Sequence, residues 1–135
     1  MTGTLTTDAT SYVTTSHAVT ITDTATLSQL HGVDAATTGA LIYAGITGVA
    51  IDYASVTGTL TTDATNYVTG SHAVTITDAA TLAQLTRVDA ATIGVFTYSG
   101  VTGVASDYAS VTGTLTTRER SLRVLLQILH RLTFS

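Results

Sequence analysis

Residues 1–55 can be laid over residues 56–110 without a gap, and 14 mismatches leave 55 − 14 = 41 identical positions. The stretch Ser-His-Ala-Val-Thr-Ile-Thr-Asp stands at 16–23 and again, letter for letter, at 71–78. A third copy opens at Val111-Thr112-Gly113-Thr114-Leu115-Thr116-Thr117 and is then abandoned. A fixed period constrains the fold more than any single motif, because near-identical segments must fold alike and each hides its apolar side against its neighbour. The chain therefore reads as a repeat region, 1–117, holding repeats 1–55 and 56–110 and the start of a third. A C-terminal tail, 118–135, matches nothing before it.

The repeat is apolar enough to fold. Hydrophobic residues make up 44% of the chain and charged residues 10%, with no Pro, Cys, Trp or Lys, a balance unlike that of disordered tails. Without cysteine there are no disulfides, thiol redox steps or thiolate metal sites. Residues 1–117 carry eight Asp and Arg87, net −7; the tail carries four Arg and Glu119, net +3; together they give −4. An acidic repeat region argues against nucleic acid as a partner, since that surface needs clustered Lys and Arg. No run approaches the roughly 18 apolar residues of a membrane span, and no basic-then-apolar signal peptide precedes the repeat. Met1 stands where Val56 and Val111 stand, so the start reads as a cut through a longer array or as a small natural member of one.

Within one repeat, Ala18–Thr22 and Ala73–Thr77 alternate with period 2, Val and Ile on one face and Ala and Thr on the other, which predicts a strand. Asp23 and Asp78 are expected to stop it and to cap the helix that follows. Leu27, Leu30, Val33 and Ala36, and their copies Leu82, Leu85, Val88 and Ala91, line one side of that helix. Gly39 and Gly94 suit a left-handed helix end. A second strand is expected at Leu41-Ile42-Tyr43 and Val95–Tyr98, with Leu41/Tyr43 and Phe96/Tyr98 inward.

Between Thr47 and Ser71 the pattern is weaker. Val49, Ala50, Tyr53 and Ala54, then Leu60, Ala64, Tyr67 and Val68, have helical spacing, but Gly58 and several Thr interrupt it. Two short helical pieces broken near Thr57-Gly58 are expected; the alternative is a third strand at Gly58–Thr62. Strands starting near 18, 41, 73 and 96 leave room for helical returns, so the fold class is α/β: a right-handed solenoid of the leucine-rich-repeat type, with a parallel sheet of about four strands.

The residues that suggest chemistry have simpler roles. His17 and His72 are equivalent, and two strand spacings of roughly 4.8 Å put them too far apart to share a zinc ion bound at about 2.0–2.1 Å. They read as ordinary residues at the start of a strand. Calcium-binding repeats need dense Asp and Gly, whereas every Asp here is isolated; Asp8, Asp34, Asp52 and their copies read as solvated turns. Asp52 and Asp107 precede Tyr in duplicated surroundings, which gives no contrasting carboxyl pair for acid–base work. Ser16-His17 and Ser71-His72 lack a nucleophile elbow. The expectation is a non-enzymatic protein with no cofactor and no metal site.

The candidate binding face is the outward threonines Thr20, Thr22, Thr75 and Thr77, which can meet ice or a glycan; the same residues are also good strand formers, and Ile42 interrupts the row. In the tail, Leu122, Leu125, Leu126, Leu129 and Leu132 follow helical spacing beside Arg120, Arg123 and Arg131. A solenoid needs its last coil covered, so 118–135 is expected to form a capping helix, with a membrane surface or a second tail as other partners. The change of style after Thr117 also fits a frameshifted or newly acquired ending. The amino end has no such cap, so self-association is expected through the open N-terminal edge or the C-terminal helix.

The phrases "AVTITDAATLAQLTRVDAAT" and "FTYSGVTGVASDYAS" resemble the Thr- and Asp-rich tandem repeats of very large cyanobacterial and marine bacterial surface or secreted proteins. The resemblance covers 1–117 and not the tail. It implies an extracellular or cell-surface setting and an adhesive or spacer role; which protein or glycan is the partner the sequence does not say. The resulting expectation is a structural or interaction repeat module, with surface binding through the threonine face as the alternative.

Overall fold

A computed structural model describes residues 3–109 and 112–113. The expected helix over 118–135, with its five leucines, lies outside the described residues. The chain divides into two compact units, Met1–Thr102 and Gly103–Ser135.

The first unit is α/β. It contains α1 (Thr7–Tyr12), β1 (Val19–Ala25), α2 (Leu27–Ala36), β2 (Leu41–Gly48), α3 (Ala50–Tyr53), α4 (Thr62–Tyr67), β3 (Ala73–Ala80), α5 (Leu82–Ala91) and β4 (Phe96–Val101). The four strands form one sheet in the order β1-β2-β3-β4, and every neighbouring pair is parallel. The described part of the second unit holds α6 (Ala105–Tyr108), whose preceding residue Val104 donates its N–H to the Asp107 carboxylate at 3.0 Å.

One face of the sheet is covered. Ile46, Val74, Ile76 and Ala80 are buried with Leu27, Leu30, Tyr53, Tyr67, Leu85 and Val88 in a single core, with Leu41, Tyr43 and Phe96 packed against it. The opposite face carries Thr20, Thr22, Ile42 and Thr97, all exposed. Removing apolar side chains from water is the dominant stabilising term here, about 25 cal/mol per Å², and period-2 alternation directs it to one face.

Local chemistry explains the boundaries, in some places differently from the sequence expectation. The strands do not stop at Asp23 and Asp78; they continue for two residues through an irregularity at Thr22-Asp23 and Thr77-Asp78, where the register with the neighbouring strand shifts. The helix caps are Thr26 and Thr81. Their hydroxyls accept from the Gln29 and Gln84 N–H at 3.2 Å, and each Gln side chain accepts from the cap's own N–H at 2.9 Å, a reciprocal box. Nor are Gly39 and Gly94 left-handed, since positive φ among the described glycines is confined to Gly58, Gly70 and Gly113. Gly39 and Gly94 are needed for close approach: a Cβ there would lie 2.3 Å from the carbonyl oxygens of His17 and His72. Tyr98 is also more open than expected, 47% exposed on β4 at the sheet's edge.

Between the repeats, the two helical pieces form as α3 and α4, separated at Gly58, whose φ of +87° makes the turn. The strand alternative survives only as an isolated antiparallel bridge between Ala54 and Leu60.

The two repeats are not level with each other. Along β2, Leu41 stands opposite Val19 of β1, whereas Ile46, five residues on, stands opposite Val74 of β3. Val19 and Val74 are equivalent positions, so the second repeat is stepped along the strand direction by five residues, about 16 Å at the usual rise. β2 thus pairs with β1 of its own repeat from Leu41 to Ile46 and with β3 of the next from Gly45 to Gly48, so Gly45 and Ile46 are held on both sides.

Candidate functional site

The step places α3 of the first repeat against β3 and α5 of the second. The segment Val49–Val56 seats in a groove of the second repeat through polar contacts that the sequence hides, because most of them link residues more than 20 apart in the chain. Asp78 Oδ1 accepts the Ala50 N–H at 2.7 Å. The Asp78 carboxylate thus serves a helix N-terminus as expected of its type, but that of α3, 28 residues upstream. The Tyr53 hydroxyl donates to the Thr75 carbonyl at 3.1 Å, and the buried Gln84 carboxamide donates to the Ala54 carbonyl at 2.7 Å. Thr61 Oγ1 donates to the Asp52 carbonyl at 2.7 Å, and Thr81 Oγ1 to the Val56 carbonyl at 2.9 Å.

A second set of contacts joins the helices. The Tyr67 hydroxyl donates to Asp34 Oδ2 at 2.9 Å, and His31 Nδ1 lies 2.9 Å from Asp63 Oδ1. Tyr43 donates to the Tyr67 carbonyl at 2.7 Å and stacks on the His72 ring, with centroids 4.1 Å apart. Asp34, Asp52 and Asp63 therefore stand on helices, and Asp34 and Asp63 are partnered across the repeat boundary rather than solvated in turns. Burial first, then the Asp34 carboxylate, raises the Tyr67 hydroxyl well above the ordinary tyrosine value; burial first, then Asp52, does the same for Tyr53. Burial likewise raises Tyr43.

The corresponding groove of the first repeat is open. It has a volume of about 270 Å³ and is lined by, among others, Thr6, Ala9, Ile21, Asp23, Gln29 and Val33. Their copies in the second repeat are Thr61, Ala64, Ile76, Asp78, Gln84 and Val88. Ala64, Ile76, Gln84 and Val88 are buried there, while Gln29 is exposed and Ala9, Ile21 and Val33 are half-buried.

His17 and His72 lie at the starts of their strands and each closes the turn before it, Nδ1–H donating to the Thr14 carbonyl at 2.8 Å and to the Thr69 carbonyl at 2.7 Å. The step between repeats adds to the strand spacings that separate them. Among the described residues, no group of three or more His, Cys, Asp or Glu gathers to hold a metal ion.

Of the candidate binding residues, Thr20, Thr22 and Thr77 are exposed and Thr75 is half-buried, all four on the strands expected. The step keeps Thr20 out of the row of Thr75: Thr20 stands opposite Ile42, and Thr75 stands between Thr47 and Thr97. Thr75 and Thr97 share a hydroxyl hydrogen bond at 2.9 Å, and the Thr77 hydroxyl donates to the Gly48 carbonyl at 3.2 Å. Thr47 was not expected in the row, because β2 extends five residues beyond the segment whose alternation is legible. Among the described residues, no helix is long and apolar enough to cross a membrane. Comparison with protein-family models, with curated proteins and with solved structures finds no match, which leaves the two repeats as each other's reference.

Proposed function

We propose that the chain is a non-enzymatic structural and interaction module, a short right-handed α/β solenoid in which each repeat presents a socket for the one before it. The observation that carries this reading is the seating of Val49–Val56 in the second repeat, where four side chains, Asp78, Tyr53, Gln84 and Thr61, bind backbone groups across the repeat boundary. Side-chain bonds to backbone fix position and register without a ligand, which is what an extending stack needs. The resemblance to large tandem-repeat proteins supports a surface or secreted setting.

The second reading is recognition of ice or a glycan by the outer sheet face. It is favoured by the Thr47–Thr75–Thr97 row, which lies on three adjacent strands. An ice-affinity assay and a glycan array separate the two. The module reading expects no retention in either. Retention that is lost on Thr20→Lys together with Thr75→Lys, with folding intact, is the result that favours the binding face.

A further inference from the structure

The socket of the second repeat is filled by the first, but the socket of the first repeat has the same walls and nothing from this chain's own Val49–Val56 phrase in it. Thr6, Thr26, Gln29 and Asp23 stand at the positions of Thr61, Thr81, Gln84 and Asp78, the side chains that bind the seated segment. The contrast in burial between Ala64 and Ala9, or Gln84 and Gln29, marks what is missing. Beside this socket runs β1, the first strand of the sheet order, with its outer side unpaired within the sheet.

The chain also carries a second copy of the segment that fits. Val104-Ala105-Ser106-Asp107-Tyr108-Ala109-Ser110-Val111 repeats Val49-Ala50-Ile51-Asp52-Tyr53-Ala54-Ser55-Val56 with one substitution, Ile51 to Ser106. In its own chain α6 buries none of its residues, and Val104 is 64% exposed. Ala50 is buried in the seated segment, whereas its copy Ala105 is exposed.

We propose that the open socket of one chain receives the α6 segment of a second copy, as the socket of the second repeat receives the α3 segment within one chain. The inference rests on the repeat-module reading and supplies its partner. By equivalence, the Ala105 N–H of one copy meets the Asp23 carboxylate of the next, and Gln29 reaches the Ala109 carbonyl. Such a contact is heterologous, head to tail, so association continues into open chains unless the rotation closes a ring.

Two variants of the full chain test it by sedimentation velocity across a hundred-fold range of concentration. Ala9→Arg fills the socket on a helix that buries none of its residues; Ala105→Arg puts a charge on the α6 segment, at the position whose copy Ala50 is buried. The unsubstituted chain should grow in mass with concentration, and each variant alone should stay monomeric with an unchanged circular dichroism spectrum. Mixed one to one, the variants should form a dimer and nothing larger, because each supplies the end the other lacks. The dimer itself requires both variants to be folded; Asp23→Lys and Ala109→Lys replace either one that is not. A monomeric unsubstituted chain at every concentration, self-association surviving both substitutions, or a mixture of folded variants that stays monomeric would each overturn the head-to-tail contact. None of these touches the junction inside the chain, so the module reading would stand; that reading fails instead on retention by ice or a glycan.

Discussion

Tyr67 and Tyr12 occupy the same position in the two repeats, yet Tyr67 is 7% exposed and Tyr12 is 79% exposed. Sequence and local helix are alike, so the difference belongs to the neighbour: Tyr67 docks on α2 of the other repeat and donates to Asp34, whereas Tyr12 has no such helix over it among the described residues.

Removing the two hydroxyls should therefore have unequal effects. Tyr67→Phe deletes a hydrogen bond to a carboxylate and should cost about 1.5 kcal/mol, while Tyr12→Phe should stay within about 0.5 kcal/mol of the unsubstituted chain. Urea unfolding of both variants measures this. Equal effects would contradict the assigned role of the repeat boundary.

The buried Gln84 carries two duties, capping α5 and donating to the Ala54 carbonyl, whereas exposed Gln29 only caps α2. Gln84→Leu leaves a buried carbonyl without its partner and should destabilise by about 2–3 kcal/mol; Gln29→Leu loses only its share of the cap, about 1 kcal/mol. The same denaturation experiment decides it.

Glycine is required for different reasons at different places. At Gly94 a methyl group would run into the His72 carbonyl, whereas at Gly70, with φ +56°, nothing lies within 4 Å and only the left-handed backbone matters. Gly70→Ala should cost about 1–2 kcal/mol; Gly94→Ala should cost more, because backbone must move. Thermal melts of the pair should rank them in that order.

Stability should fall in alkali. The folded values of Tyr43, Tyr53 and Tyr67 lie above the ordinary value near 10, so above that pH the unfolded chain loses phenolic protons that the folded chain keeps. Stability is then intact below about pH 10 and declines as the pH rises toward the higher folded values. Unfolding midpoints against pH should show this decline, and it should be shallower in Tyr67→Phe.

Much of the fold was legible because it is local. Period-2 alternation at Val19–Thr22 and three-residue spacing from Leu27 to Ala36 locate strand and helix, and the turn at Gly58 follows from glycine among threonines. What was not legible depends on contacts between distant residues. In β2 the inward positions run Leu41, Tyr43 and then Ile46, so alternation slips near Ala44-Gly45 and the strand reads as ending at Tyr43. Asp78 lies ahead of a helical pattern and reads as its cap; its carboxylate is turned to Ala50 because Thr81 and Gln84 already close α5. The threonine face was legible residue by residue, but its rows were not, since the five-residue step between repeats depends on which residues of β2 meet which neighbour.

The most direct test of the account is native-state amide hydrogen exchange, followed residue by residue. If the first repeat is locked into the second through the seated α3 segment, the Ala50 amide, held by Asp78, should open together with the amides of β2 and β3 at one shared free energy. An Ala50 amide that exchanges like unstructured chain while β3 stays protected, or two repeats that open separately, would contradict it.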